Sequence, residues 1–316
     1  MLPIRRANFA NLLSALQRSA TSKVPDPRDY QPELPVPDGY TKESVLETLS
    51  SATIDGSVIG EFRGYVTADC ERFLRTLDLV PLGEGELLEI GGSPYFTTLL
   101  LKRFRRNYRL NITNFFNGGP RTESQRVHFN GFDGEPEDHD FVFQNLNIEE
   151  WTFPYSDGQM DVVVFGEVLE HMTNDPLHAI REINRVMKQD GFLILTTPNA
   201  ARWENILAFI EGRNIYDPYS AYGPYGRHNR EYTRHELHQL LTYGGFEADA
   251  AYTANVHDDI PALPATQKAT KKAIAALRNR EYDLGQYIFT RWRKIGTCPD
   301  KRPKWLYRSY PPTELI

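Results

Sequence analysis

The sequence predicts an α/β fold built around an open, mostly parallel sheet. Short apolar segments typical of buried strands recur along the chain, and segments with helical periodicity alternate with them. Glycines and capping residues stand at many of the boundaries between the two kinds of segment. With 316 residues, the chain is long enough for one large domain with additions or for two modest domains.

The first part of the chain is expected to lie outside the sheet. An amphipathic helix is predicted around Phe9–Leu13, because the apolar run there is too broken for a signal peptide. The proline-rich residues 24–37 favour an extended linker or surface arm, since proline fixes φ and biases the preceding residue to extended backbone. Two helices are then predicted, over Lys42–Leu49 and Glu61–Leu79.

The predicted sheet begins at Leu87–Ile90, a short apolar strand that runs into Gly91-Gly92. The Ser93-Pro94 pair offers a good N-cap followed by a good first helical residue, so we expect the next helix to begin there. A second strand is predicted at Tyr108–Ile112. Residues 115–140 are rich in turn residues and locally acidic, which favours an insertion or an elaborated loop.

Strands and helices continue to alternate through the second half of the chain. Asp161–Phe165 is apolar and β-branched, as in a strand buried on both faces of a parallel sheet. Asp175-Pro176 opens a helix, which we expect Asp190-Gly191 to end because glycine readily adopts the left-handed cap. The other predicted elements are strands at Phe141–Phe143, Phe192–Thr196 and Phe246, and helices over Trp203–Gly212 and from the capping residue Thr233 to Leu241.

Charge and composition argue against several classes of protein. The formal net charge of -6 does not favour a broad electrostatic grip on nucleic acid. No apolar stretch reaches the length of a membrane-spanning helix, so no integral membrane segment is predicted. With only two cysteines, Cys70 and Cys298, the chain is expected in a reducing cytoplasm. His128, His139 and Asp140 have no recognisable metal-ligand spacing, and no metal is predicted.

The residues that follow each strand are the candidate ligand contacts, because ligands bind beyond the carboxyl ends of the strands in such sheets. After the first strand, Gly91 and Gly92 let the backbone approach a ligand closely, and the carboxylate of Glu89 would face a cationic ligand. The turn equally fits a tight strand–helix connection that needs glycine for packing alone. The G-x-G-x-x-G pattern of dinucleotide sites is absent, which disfavours a nicotinamide-dependent dehydrogenase.

Several segments, in order along residues 60–296, resemble class I S-adenosylmethionine-dependent methyltransferases. They are Glu89-Ile90-Gly91, Trp151–Asp161, the segment Gly166-Glu167-Val168-Leu169-Glu170-His171-Met172, Gln189–Asn199, Glu231–Leu237 and Leu284–Phe289. The resemblance implies a Rossmann-like, seven-stranded, mostly parallel sheet with helices on both faces and an antiparallel last strand. It also implies a methyltransferase domain at 59–296, between an N-terminal helix and Pro-rich arm (1–58) and a C-terminal tail (297–316).

The resemblance further implies that S-adenosyl-L-methionine is the cofactor. Gly91, Gly92 and Ser93 would line its methionine end, and Glu89 would support the turn. The family usually has an acidic residue at the end of the second strand, where it binds the ribose hydroxyls. The equivalent here is Asn114, whose amide cannot make the same bidentate contact.

Three further residues are implied to contact the cofactor or its loops. Ile148 would stack on the adenine ring, and Asn147 would bind its amino group. Glu167 would orient the cofactor or the loop that carries it. On the helix before the sheet, Tyr65 is a candidate for the carboxylate end of the cofactor, although it may equally serve packing.

Two histidines are candidate general bases, because histidine titrates near neutral pH. His171 follows the fourth strand, and a loop-fixing hydrogen bond is the alternative role for it. His228 is the second candidate and lies in the aromatic segment Tyr216–Tyr232, which is expected either to cover the acceptor as a lid or to form a solvated, anchored loop.

The sequence therefore predicts methyl transfer to O, N or C of a small molecule or glycan. The alternative is a non-catalytic binding or scaffold protein that retains the fold, because Ser93-Pro94-Tyr95 and Asn114 depart from the family pattern. The sequence leaves a homodimer open.

Overall fold

The computed structural model of the protein describes residues 32–57, 62–257, 277 and 280–316, so the helix predicted around Phe9–Leu13 lies outside the described residues. The described strands are β1 (Thr53–Ile54), β2 (Gly85–Ile90), β3 (Tyr108–Asn114), β4 (Arg121–Asn130), β5 (Pro136–Asn145), β6 (Met160–Gly166), β7 (Met187–Pro198), β8 (Phe246–Ala254) and β9 (Tyr287–Lys294). The described helices are α1 (Lys42–Ser50), α2 (Arg63–Leu79), α3 (Phe96–Phe104), α4 (Pro176–Val186), α5 (Trp203–Ile210) and α6 (Arg234–Tyr243).

These strands form one mixed sheet in the order β1-β4-β5-β3-β2-β6-β7-β9-β8. The five central strands, from β5 to β7, are parallel to one another. Strand β9 runs antiparallel to both β7 and β8, as the last strand was predicted to do. The α/β class with a mostly parallel core is confirmed, and β1 and β4 extend the predicted seven-stranded sheet at one edge.

Both faces of the sheet are covered, because successive residues of the central strands enter two different apolar clusters. Leu87 packs with residues of α2 and α3, whereas the next residue, Leu88, packs with residues of α4 and α6 on the other face. Both side chains are fully buried. Continuous apolar strands such as β6 therefore owe their pattern to burial on two sides.

The predicted helix start at Ser93-Pro94 is wrong. Helix α3 begins at Phe96, and its N-cap is Tyr95, whose φ of 74° is left-handed. The fully buried Tyr95 ring stacks on Phe141 with a centroid distance of 4.9 Å, and its hydroxyl donates to Gln125 Oε1 at 2.6 Å. Packing of this side chain towards the β4–β5 hairpin fixes where the helix can begin.

The loop predicted over residues 115–140 is largely a β-hairpin, formed by β4 and the first half of β5. Polar residues dominate its exposed face, and these gave the segment its turn-like composition. The inner face carries Val127, Phe129, Phe141 and Phe143, all buried in one core cluster. Alternation with period two is thus present, but only two inward positions of each strand are apolar, so the pattern is weak in the sequence.

The predicted end of helix α4 at Asp190-Gly191 is also wrong, because α4 ends at Val186 and β7 starts at once. Asp190, with φ 63°, and Gly191 lie inside β7, where the pairing with β6 shifts register. A Cβ on Gly191 would lie 2.9 Å from the carbonyl oxygen of Asp161. Glycine is therefore required here by the close approach of two strands and not by a helix cap.

Both ends of the described chain pack against the sheet and its helices. The Arg75 guanidinium donates to the carbonyl of Pro32 at 2.8 Å, which holds the start of the described arm. In the tail, the Tyr307 hydroxyl and Arg302 both donate to the carboxylate of Asp175, the N-cap of α4. Among the described helices, none combines the length and the hydropathy needed to cross a membrane.

Candidate functional site

A small crevice of about 80 Å³ opens beyond the carboxyl ends of β2, β6 and β7. Ligands bind at this edge in open parallel sheets, because the connections diverge there. The residues that line it are Tyr65, Arg72, Phe73, Thr76, Glu89, Ile90, Gly91, Gly92, Ser93, Pro94, Phe96, Thr97, Val164, Gly166, Glu167 and Thr196.

The glycine turn after β2 is required by close packing. Gly91 has φ 77°, and a Cβ on it would lie 2.6 Å from Val168 Cγ2. A Cβ on Gly92 would lie 2.7 Å from Ile112 Cγ2. Both glycine amides donate to the carbonyl of Thr113, at 2.8 and 3.3 Å. The turn therefore lines the crevice with backbone, while its amide protons are already bound within the protein.

Glu89 lies beneath this turn and is almost completely buried. Its Oε2 accepts a hydrogen bond of 2.5 Å from the Thr98 hydroxyl. Burial raises the pKa of Glu89 to about 8, although the Thr98 hydrogen bond lowers it. The Thr98 hydrogen bond ties the Glu89 side chain to the first turn of α3, and near pH 7 the group is mainly the neutral acid.

Sequence reasoning missed Arg72, the buried cation of the crevice. Its Nε donates to Asp69 Oδ1 at 2.8 Å, and a terminal nitrogen donates to the Tyr65 hydroxyl at 2.5 Å. The guanidinium also lies over the ring of Phe73, 4.9 Å from its centroid. Arg72 stands seven residues after Tyr65, two turns along the same face of α2, so the helical period that singled out Tyr65 could have found it.

Glu167 supplies a buried carboxyl to the same crevice. Its backbone is left-handed, with φ 54°, and its amide donates to the Thr196 carbonyl at 3.0 Å. Within the described part of the chain, Glu167 Oε1 is buried and has no hydrogen-bond partner. Burial raises its pKa to about 8, which Arg72 opposes and Glu170 reinforces. An arginine and a carboxyl thus face one small space, which suits a ligand bearing both a carboxylate and a cationic group.

Asn114 ends β3 and is buried next to the turn. Its Oδ1 accepts from the amide of Ser93 at 2.8 Å, and its Nδ2 donates to the Tyr95 hydroxyl at 3.1 Å. The amide therefore holds the irregular segment between β2 and α3. A contact of Asn114 with a ribose stays a prediction.

The predicted adenine turn lies after β5. Asn147 Oδ1 accepts from the amide of Glu149 at 3.0 Å, and Asn147 Nδ2 lies 3.5 Å from the Tyr225 hydroxyl. Ile148 is buried in the core cluster that contains Leu88. The contacts predicted for Asn147 and Ile148 with adenine remain predictions.

The two candidate bases, His171 and His228, lie side by side. Their ring centroids are 5.0 Å apart, with an angle of 75° between the ring planes. Burial and the charge of His228 lower the pKa of His171. Burial opposes the charged form of His228 as well, but a hydrogen bond to Glu231 and the charge of Glu170 raise its pKa above the ordinary value.

A second cavity, of about 320 Å³, lies beside this histidine pair. It is lined by Pro198, Arg202, Glu204, Asp217, His228, Glu231, His257, Gln286 and Tyr287. The aromatic segment differs along its length, since Tyr219 is 92% exposed whereas Tyr232 is 1% exposed. Arg227 lies over the Tyr219 ring, 4.5 Å from its centroid. The segment is thus anchored at its end and open to solvent at its start.

Comparison with known proteins gives one family match. A family described as a methyltransferase domain matches residues 62–251. No curated protein matches the chain.

Solved structures of methyltransferases are similar at low identity. A SAM-dependent methyltransferase from Archaeoglobus fulgidus is 14% identical, over 73% of this chain and 94% of that one, with a TM-score of 0.45. Geranyl diphosphate C-methyltransferase from Streptomyces coelicolor is 10% identical, over 76% and 88%, with a TM-score of 0.42. A further SAM-dependent methyltransferase, from Mesorhizobium loti, is 10% identical, over 72% and 97%, with a TM-score of 0.42.

Proposed function

We propose that the protein binds S-adenosyl-L-methionine and transfers its methyl group to a small molecule or glycan. The premise is that the chain belongs to the methyltransferase family, whose domain matches residues 62–251. When bound, the cofactor supplies an electrophilic methyl group on its sulfonium. The protein has to hold that group in line with an acceptor atom, because orientation accounts for much of such a rate enhancement.

The observation that carries the proposal is the pair of opposite polar groups in the crevice. Arg72 is a buried cation suited to the carboxylate of the methionine moiety. Glu167 has a buried oxygen that lacks a partner in the described chain and suits a cationic amino group. Gly91 and Gly92 line the same crevice with backbone. These residues fit the methionine end of the cofactor.

An acceptor site at the second cavity follows from its position and polarity. Acidic side chains, the histidines His228 and His257, and Arg202 line this cavity. Such a lining suits an acceptor rich in hydroxyl or amino groups. We assign His171 and His228 as the candidate bases for an acceptor that must lose a proton. The methylated atom is O, N or C in this proposal, and residues 59–296 form the catalytic domain.

One observation favours the alternative of a non-catalytic binding protein. The amides of Gly91, Gly92 and Ser93 all donate to acceptors within the protein, as does the Asn114 amide group. In this arrangement one lone pair and one proton of the Asn114 amide group already hold the turn, which leaves it fewer contacts for ribose hydroxyls than a carboxylate would offer. Such a protein would bind the cofactor weakly and would show no transfer.

Calorimetric titration of the purified chain tests the proposal. We expect S-adenosylmethionine to bind and NAD not to bind, and Glu167→Gln to weaken binding at least tenfold, because a charged hydrogen bond is worth about 1.5–3 kcal/mol. Glu150→Gln, at an exposed position, is the matched control and should bind as the wild type does. A labelled-methyl screen against small-molecule and glycan extracts then identifies the acceptor. Absence of cofactor binding at millimolar concentration contradicts the proposal.

A further inference from the structure

A second polar cluster lies outside the glycine-turn crevice and comes from two distant segments of the chain. Glu170 and His171 follow β6, whereas His228 belongs to the aromatic segment before α6. One potential ligand atom from each of the three residues lies within 4.8 Å of the other two. The pair formed by His171 Nε2 and Glu170 Oε1 is 3.9 Å apart.

The segments are fastened to each other by several backbone contacts. The amide of Asn229 donates to the Glu170 carbonyl at 2.8 Å. The Asn229 side chain donates in turn to the His171 carbonyl at 2.9 Å. The cluster is therefore a built feature of the fold, and its geometry does not depend on the exposed part of the aromatic segment.

Hydrogen bonds at Nδ1 fix the tautomers of both histidines. His171 Nδ1 lies 3.0 Å from the carbonyl oxygen of Arg227, which can only accept, so Nδ1 carries the proton and Nε2 has a free lone pair when the ring is neutral. His228 Nδ1 lies 3.1 Å from Glu231 Oε1, which imposes the same tautomer. Histidines that ligate metals through Nε2 are oriented by such acceptors.

Glu170 completes the cluster with a buried carboxyl group. Its side chain is fully buried, and Oε2 accepts from the Thr197 hydroxyl at 2.9 Å. Oε1 is buried too, and none of the residues that the structure describes makes a hydrogen bond to it. A buried oxygen without a partner is costly, so this atom points to a ligand that supplies the missing contact.

We propose that Glu170, His171 and His228 bind a divalent cation of the Mn²⁺ or Zn²⁺ type. Two imidazole nitrogens and one carboxylate oxygen favour first-row transition ions and zinc over calcium. Metal–ligand bonds of about 2.0–2.2 Å place ligand atoms on the order of 3–4 Å apart. The His171–Glu170 pair at 3.9 Å meets this spacing, and the limit of 4.8 Å for all three atoms requires only a small approach on binding. With a cation bound, His171 and His228 are ligands through Nε2 and are not available as general bases. The proposed site departs from the sequence-based expectation that no metal is required.

Neighbouring charged side chains hold the proposed ligands in position for such an ion. Glu231, which orients His228, is itself held by Arg202 and by Asn205 Nδ2. Asp217 lies 3.7 Å from His228 Nδ1 at the exposed edge of the cluster. Three protein ligands leave at least one position of the ion open, and His228 also lines the cavity of about 320 Å³. A hydroxyl or water in that cavity can occupy the open position.

Metal binding by the full chain tests the proposal without any need for methyl transfer. After treatment with a chelator, the protein is titrated with MnCl₂ and ZnCl₂ by calorimetry at pH 8, where protons compete least for the histidine nitrogens. We expect one ion per chain. Mn²⁺ electron spin echo spectra should show coupling to two imidazole nitrogens, and to one in His171→Ala or His228→Ala.

Each of these histidine variants, and Glu170→Gln, should weaken metal binding at least tenfold. His235→Ala, at an exposed histidine of α6, is the matched control and should bind as the wild type does. Absence of binding, or binding that all three variants retain, overturns the proposal. A parallel titration of the metal-free variants with S-adenosylmethionine keeps the two proposals apart, because cofactor binding without metal binding contradicts only the cation site.

Discussion

Buried ionisable side chains make the stability of the fold depend on pH, and Glu89, beneath the glycine turn, is the clearest case. Burial raises its pKa to about 8 in the folded chain, from an ordinary value near 4.5. Between these values the folded protein holds a proton that the unfolded chain releases. The free energy of unfolding therefore falls as the pH rises from 5 to 8, by up to about 1.4 kcal/mol per pH unit from this group.

The variant Glu89→Gln keeps the shape of the side chain and removes its titration. We expect the wild type to lose stability relative to this variant as the pH rises from 5 to 8, in urea unfolding followed by circular dichroism. Glu84→Gln, at an exposed position, is the control and should follow the wild type. A difference between Glu89→Gln and the wild type that stays constant over this range would mean that Glu89 is ionised in the native state.

Single residues could be predicted from the sequence where a local motif surrounds them. Glu89, Gly91 and Glu167 were found in this way, and each lines the crevice. Arg72 is buried, and it was missed because arginine on a helix is usually solvated, although it shares the face of α2 that carries Tyr65. The cluster of Glu170, His171 and His228 was missed because the two histidines are far apart in the sequence.

At the scale of elements, the connection between β2 and α3 requires glycine at position 91 for two reasons: its backbone is left-handed, and Val168 leaves no room for a Cβ. Gly91→Ala introduces a Cβ at φ 77°, which costs about 1–2 kcal/mol, and places it 2.6 Å from Val168 Cγ2. Overpacking of this kind adds about 1–3 kcal/mol. We therefore expect Gly91→Ala to lower the free energy of unfolding by about 2–5 kcal/mol, measured by urea unfolding.

A double-mutant cycle separates the two contributions. Val168→Ala removes the clashing methyl groups, so the double variant with Gly91→Ala should retain only the backbone cost. Gly119→Ala is the control, because no atom lies within 4 Å of the Cβ position there and its φ is not positive. Additive effects of the two substitutions would show that Val168 does not limit the turn.

Element boundaries were predicted well only where local chemistry decides them. Thr233 caps α6 as expected, since its side chain accepts from the Glu236 amide at 3.2 Å. The boundaries predicted at Ser93-Pro94 and at Asp190-Gly191 were wrong, because contacts of Tyr95 and Gly191 with distant residues decide the structure there. The Tyr95 ring stacks on Phe141, and the Asp161 carbonyl lies against Gly191. Such contacts carry no local signal in the sequence.

At the scale of the whole molecule, the sequence was sufficient for the α/β class and for the order of strands and helices along the chain. The period-two and period-3.6 patterns are local properties, so they could be read directly. The edge strand β1 could not, since it has two residues and pairs with a hairpin more than seventy residues later, whereas β4 was missed because its alternation is weak. Long-range pairing of this kind depends on the finished core.

The role of the C-terminal tail, residues 297–316, depends on the whole molecule. The basic and aromatic segment Lys301–Tyr307 fits either an interaction arm or a strap over the domain. Tyr307 is buried in the core cluster below α4, and Arg181 of that helix donates to the carbonyls of Pro299 and Asp300. A chain that ends at residue 296 would uncover this apolar surface and leave the Asp175 carboxylate without Tyr307 and Arg302. We expect its melting temperature to fall by several °C, since each kcal/mol shifts the Tm of a large domain by about 2–4 °C.

Thermal unfolding followed by circular dichroism measures the effect, and calorimetric titration with S-adenosylmethionine shows whether it is confined to stability. Arg308→Ala, at an exposed tail position, is the control and should leave the Tm unchanged. The tail contributes no residue to the lining of the crevice, so the shortened chain should bind the cofactor with unchanged affinity at a temperature where it is folded. An unchanged Tm would instead favour the interaction arm, because a segment that stabilises nothing in its own chain is free to contact another.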